Sequence, residues 1–157
     1  MNDLSSSCID GRVVAVRFRY VLVEYDNSTR TRVAVQRAAD IAFEHGARLH
    51  VLWVVDMPTV GLDVALSVFE DEVCYATGQL ESLRHDLGDR LAHTQIAVRV
   101  GERVREVVRY AREYSVGEVV VAVERRIPKF MSAGARIKRM LADEGCKVTV
   151  VDVGDRN

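Results

Sequence analysis

The chain has 157 residues, 48% of them hydrophobic, and sets 22 Lys and Arg against 23 Asp and Glu, a net charge of −1. That length and apolar share suit one domain with one core and exclude a disordered chain. The near-neutral balance excludes the broad basic face of a general nucleic-acid binder, and no apolar run approaches the ~18 residues of a membrane span.

The opening MNDLSSSCIDGR lacks a basic start followed by an apolar stretch, so no export signal is expected. Cys8, Cys74 and Cys146 are odd in number and form neither a CxxC pair nor a metal spacing. They point to reduced thiols in a cytoplasm, and Cys74 and Cys146 are expected to be small core residues.

Residues 1–11 read as a flexible polar tail and 12–157 as a single domain. Val14, Val16 and Phe18 alternate with Ala15 and Arg17, the period of a half-wet strand, before Tyr20–Val23 becomes continuously apolar, as in a strand buried on both faces. Asp26-Asn27-Ser28 suits a turn and a helix N-cap, and Asn27 tolerates a left-handed backbone. Thr29 to His45 reads as a helix with Ala34, Val35, Ala38, Ile41 and Ala42 on one side and Gly46 as its left-handed stop.

Leu49–Val55 is the next strand, apolar except for His50. After a loop with Pro58 and Gly61, Phe69, Val73, Ala76, Leu80, Leu83, Leu87 and Leu91 predict a long amphipathic helix over 64–91, disturbed near Gly88. Ile96–Val100 follows as a strand, Glu102–Tyr114 as a helix and Val119–Val123 as a fully apolar strand. A loop over Glu124–Ala133, a short helix over Gly134–Ala142 and a last strand over Val148–Val153 complete the chain.

Alternating Val-rich strands and helices predict an α/β domain: a five-stranded, mostly parallel sheet with helices on both faces, plus the N-terminal strand extension. In such sheets ligands sit beyond the carboxyl ends of the strands, where strand order reverses. Glu24–Ser28 and Glu124–Gly134 are therefore the loops to search for chemistry.

Three stretches carry a family resemblance: YVLVEYDNSTRTRVAVQRAADIAFEHGARLHVLWVVD (20–56), VRVGERVREVVRYAREYSVGEVVVAV (98–123) and AGARIKRMLADEGCKVTVVDV (133–153). In this order they resemble the universal stress protein family, a Rossmann-like, adenine nucleotide alpha-hydrolase-like fold. The resemblance implies a cytoplasmic, dimeric stress-response or regulatory module that pairs through the last strand, Val148–Val153, and is not an enzyme.

Nucleotide-binding members carry Gly-x2-Gly-x9-Gly-Ser/Thr after the fourth strand, where bare backbone and helix N–H groups hold phosphate. In register with that motif, Ala122 leads into the loop, Arg125 replaces a glycine, Gly134 is kept and Ala135 replaces the hydroxyl residue. Only eight residues separate Arg125 from Gly134, one fewer than the family has. The resemblance further sets Asp26 near adenine and ribose and the backbone of Val54 near adenine, while helix capping alone also accounts for Asp26.

Three readings follow: a module without tight ATP binding and without a cofactor, one that binds ATP, AMP or a small anion, and an enzyme of a related nucleotide-alpha-hydrolase fold, which needs a general base and a phosphate loop that are both incomplete here. The second would use Asp26, Gly134 and a basic stretch over 125–139. Within Glu124–Arg139 that stretch sets Arg125, Arg126, Lys129, Arg136, Lys138 and Arg139 against Glu124, an excess of +5. His45, His50, His85 and His93 form no metal motif, and no nucleophile elbow, P-loop or GxGxxG is present.

Overall fold

The computed structural model of the chain describes residues 8–9, 12–13, 19–56, 62–91, 93–123 and 128–152. β1 (Cys8–Ile9) and β2 (Arg12–Val13) pair antiparallel as a two-residue ladder, inside and just beyond the stretch that reads as a tail. The extension expected over Val14–Phe18 lies outside the described residues.

β3 (Tyr20–Glu24) is the central strand of a five-stranded sheet. It runs parallel to β4 (Arg48–Val55) on one side and to β6 (Glu118–Ala122) on the other. β5 (Gln95–Val100) closes the β4 edge and β7 (Lys147–Val151) the β6 edge, so all five strands are parallel. The unbroken Val-Leu-Val and Val-Val-Val runs fall on β3 and β6, which are covered on both faces.

Side-chain alternation divides the core in two. Val21, Val23 and Val51 face α1 (Thr29–His45) and α2 (Leu62–Leu87), packing against Ala34, Ala38 and Leu80. Leu22, Leu52, Val119 and Val121 face α3 (Arg103–Glu113) and α4 (Ala133–Leu141), packing against Val107, Val108, Ile137 and Leu141. Each such aliphatic side chain contributes about 1.5–3 kcal/mol by leaving water.

Local chemistry sets the ends of α1 and α2. Ser28 caps α1, its side chain accepting the N–H of Thr31, and Gly46 ends it at φ 61°. Gly88, at φ 63°, ends α2 where the sequence places a disturbance, and a 3-10 turn follows over Gly88–Leu91.

Cys74 departs from the expected core: it is exposed. The inward stripe of α2 runs through Ala76, Leu80, Leu83 and Leu87, and Cys74 is two residues before Ala76, about 200° away around the helix. Cys146 is half-buried against the α3–α4 side, and burial pushes its thiol up to about 11.

Candidate functional site

From β3 the chain moves outward through β4 to β5, then returns across the sheet to β6 and β7. Strand order therefore reverses between β3 and β6, and the crevice outside their carboxyl ends is the place for a ligand. Register pairs Leu52 with Glu24 and Val120 with Val23. Asp26, Val54 and Ala122 each lie two residues beyond Glu24, Leu52 and Val120, so these three expected site residues meet at one edge.

The turn after β3 is tied to itself. The Asp26 carboxylate accepts the N–H of Ser28 (2.9 Å) and the hydroxyl of Thr31 (2.7 Å). Asp26 is thus not the cap of α1, which is Ser28; it fixes the capping residue from two positions upstream. Burial pulls the Asp26 carboxyl upward, but hydrogen bonds from Ser28 and Thr31 and the charge of Arg103 outweigh it and hold the carboxyl below its usual range. Asn27 takes φ 64°, and its Oδ1 accepts from the Tyr25 hydroxyl and from Arg32.

Glu24, which the sequence sets at the head of a loop, belongs to the strand. It ends β3 buried, at 6% exposure, and its Oε1 accepts from Arg103 Nε at the start of α3. Its Oε2 is buried with no hydrogen-bond partner among the described residues. Burial raises the carboxyl, Arg103 opposes that, and the nearby Asp26 and Asp56 add to it. The strand side of the crevice thus presents carboxylates rather than bare N–H groups.

On the β6 side, Arg30 from the first turn of α1 donates to the carbonyl of Val123 (3.1 Å), strapping the two loops together. Arg125 and Arg126 lie outside the described residues. A 3-10 turn over Lys129–Met131 then leads to Ser132, the cap of α4. The Ser132 hydroxyl accepts the N–H of Ala135 (3.2 Å) and donates to the carbonyl of Lys129 (2.7 Å).

Gly134 is buried, and a Cβ there would lie 3.0 Å from Val150 Cγ2 and 4.0 Å from Val121 Cγ1. Close packing of α4 on β6 and β7 therefore gives this glycine a reason of its own. Of the basic stretch, Arg136 faces Glu102 (3.5 Å) and Arg139 donates to the carbonyl of Phe130 (2.9 Å). Val54 is half-buried on the α3–α4 side. Among the described residues no group of three or more His, Cys, Asp or Glu side chains could hold a metal ion, and no helix is long and apolar enough to cross a membrane.

The family model of the universal stress protein family matches residues 17–152. No curated protein matches the chain. Among solved structures, universal stress protein UspA from Lactobacillus plantarum is similar at TM-score 0.72 and 19% identity, covering 87% of this chain and 99% of that one. A universal stress protein in complex with cAMP is similar at TM-score 0.61 and 19% identity, covering 87% of this chain and 98% of that one. The universal stress protein from Archaeoglobus fulgidus in complex with dAMP is similar at TM-score 0.59 and 16% identity, covering 83% and 94%. At these identities the likeness is one of fold.

Proposed function

The chain belongs to the universal stress protein family, and from that premise we propose that it is a homodimeric, cytoplasmic stress-response module that does not hold a triphosphate tightly. One observation carries this reading: the N–H of Ala135, at the position where nucleotide-binding members have a hydroxyl residue beside the phosphate, is satisfied within the chain by Ser132 Oγ. A helix N-terminus binds anions through N–H groups left without partners, so an internal cap competes with the ligand.

Three further features point the same way. Gly134 has a packing role against Val150, Arg30 bridges the crevice to Val123, and Asp26 spends its carboxylate on Ser28 and Thr31. The residues present therefore fit a triphosphate poorly. Neither a nucleophile nor a paired acid and base is assembled in the described part of the crevice, which supports a binding or regulatory role over catalysis.

The open edge of the sheet supports the dimer. β7 is an outer strand, Val150 on it is exposed, and pairing with a second β7 across a two-fold axis would remove an open apolar edge.

A second reading, binding of AMP or a cyclic nucleotide, draws on the similar structures in complex with cAMP and dAMP. A single phosphate asks less of the cradle, and Asp26, Gly134, Lys129 and Arg136 would supply what remains of it. Melting the protein with and without millimolar ATP, AMP and cAMP tests both readings. No shift with ATP is expected. A ligand at 100 times its Kd adds about 2.7 kcal/mol, so a clear rise with ATP overturns the first reading, while a rise with AMP or cAMP alone supports the second.

A further inference from the structure

The turn before α4 holds two apolar side chains out in water: Phe130 is 68% exposed and Met131 56%. This exposure is built in. The N–H of Met131 bonds the carbonyl of Pro128 (2.9 Å), the Ser132 hydroxyl bonds the carbonyl of Lys129 (2.7 Å), and Arg139 reaches back to the carbonyl of Phe130 (2.9 Å). A fixed turn that presents neighbouring apolar side chains marks an interaction site more than a scattered surface residue does.

The charge around the turn narrows the partner. Residues 128–142 contain Lys129, Arg136, Lys138 and Arg139 and no acid, in a chain of net charge −1. Arg136 has Glu102 at 3.5 Å, whereas Lys129 and Lys138 have no ion pair among the described residues. A second copy of the chain is a poor occupant, because a two-fold axis through this patch would set its cations against themselves. A folded protein would have to offer a pocket matched to both exposed side chains, while a lipid surface yields to whatever shape enters it.

We infer that the Lys129–Met131 turn and the basic flank of α4 dock on an anionic lipid surface. Phe130 and Met131 enter the boundary between headgroups and acyl chains. Lys129, Arg136, Lys138 and Arg139 stand at the level of the lipid phosphates. The inference is independent of whether the crevice binds nucleotide.

Co-sedimentation of the full chain with phosphatidylcholine vesicles, with and without phosphatidylglycerol, tests it. The chain is expected to pellet only when phosphatidylglycerol is present, and less so as salt rises. Lys129→Glu and Lys138→Glu should each weaken binding about fivefold or more, since a cation near such a surface contributes on that order. Phe130→Ala should weaken it at high salt as well as low, and Arg84→Glu, on exposed α2, should leave it unchanged. All these positions are exposed, and far-ultraviolet circular dichroism checks that each variant is folded. Absence of pelleting with phosphatidylglycerol overturns the inference. So does binding that ignores Phe130→Ala and is displaced by soluble polyglutamate, which would assign the patch to acidic protein segments.

Discussion

Acidifying the protein should expose the cost of a histidine held neutral inside the α3 side of the core. His50 on β4 is completely buried, with Nδ1 2.7 Å from the Tyr110 hydroxyl and Nε2 without a partner among the described residues. The rings of Tyr20, Tyr114 and Tyr110 stand edge-on to it at 4.8, 5.2 and 5.6 Å. Burial, with the charge of Arg48 adding to it, pushes His50 from 6.5 down to about 4.

The unfolded chain therefore takes up a proton below pH 6.5 that the folded chain refuses until about pH 4. Between those values the unfolded state binds more protons, so stability falls as pH falls. A shift of this size at 1.36 kcal/mol per unit comes to roughly 3 kcal/mol lost between neutral pH and about pH 4. Urea unfolding followed by the fluorescence of Trp53, the single tryptophan, measures it. His50→Gln keeps an acceptor for the Tyr110 hydroxyl and does not titrate. The variant starts less stable but should lose roughly 3 kcal/mol less than the wild type across this range. Equal losses in both proteins, or an NMR titration of His50 near its ordinary value, would refute the reasoning.

Other positions test the turns and the crevice. Gly101→Ala should destabilise by about 1–3 kcal/mol in the same urea assay, because Gly101 sits at φ 156° and a Cβ there falls 2.7 Å from the buried Glu106 Oε1. Gly134→Ala should cost within about 1 kcal/mol, as the helix gain of alanine offsets the shift asked of half-exposed Val150. Gly134→Val should cost about 2 kcal/mol or more, because the added branch meets Val150 and Val121; equal tolerance of both would remove the packing role of this glycine. Asp26→Ala should cost about 1–2 kcal/mol in nucleotide-free protein, since Ser28 and Thr31 each lose a bond to it; an unchanged midpoint would return Asp26 to a ligand-facing role.

The layered sheet was legible because its inner strands are uninterrupted valine and leucine runs and its helices keep one apolar stripe each. Alternation of strand and helix makes the loops at the carboxyl ends of the strands the place to search, while the reversal of strand order between β3 and β6 is seen only in the structure. What escaped the sequence reading were partnerships across long separations. Glu24 looks like the first residue of a loop until Arg103, 79 positions later, is seen beside it. His50 is a lone polar residue in an apolar strand, and Tyr110, 60 positions away, explains why it is tolerated.

Ser132 was legible in principle. It stands three residues before Ala135, the spacing of an N-cap, while the family motif falls on Gly134 and Ala135. Cys74 is exposed although it follows Val73 of the expected apolar stripe, because one residue is about 100° around a helix.

The central claim is that this scaffold has turned its phosphate-holding backbone inward, with Ser132 on the N–H of Ala135. Native mass spectrometry of freshly purified protein tests it most directly, reporting subunit number and retained nucleotide together. The account predicts a dimer of two bare chains. A dimer carrying one ATP per chain would contradict it.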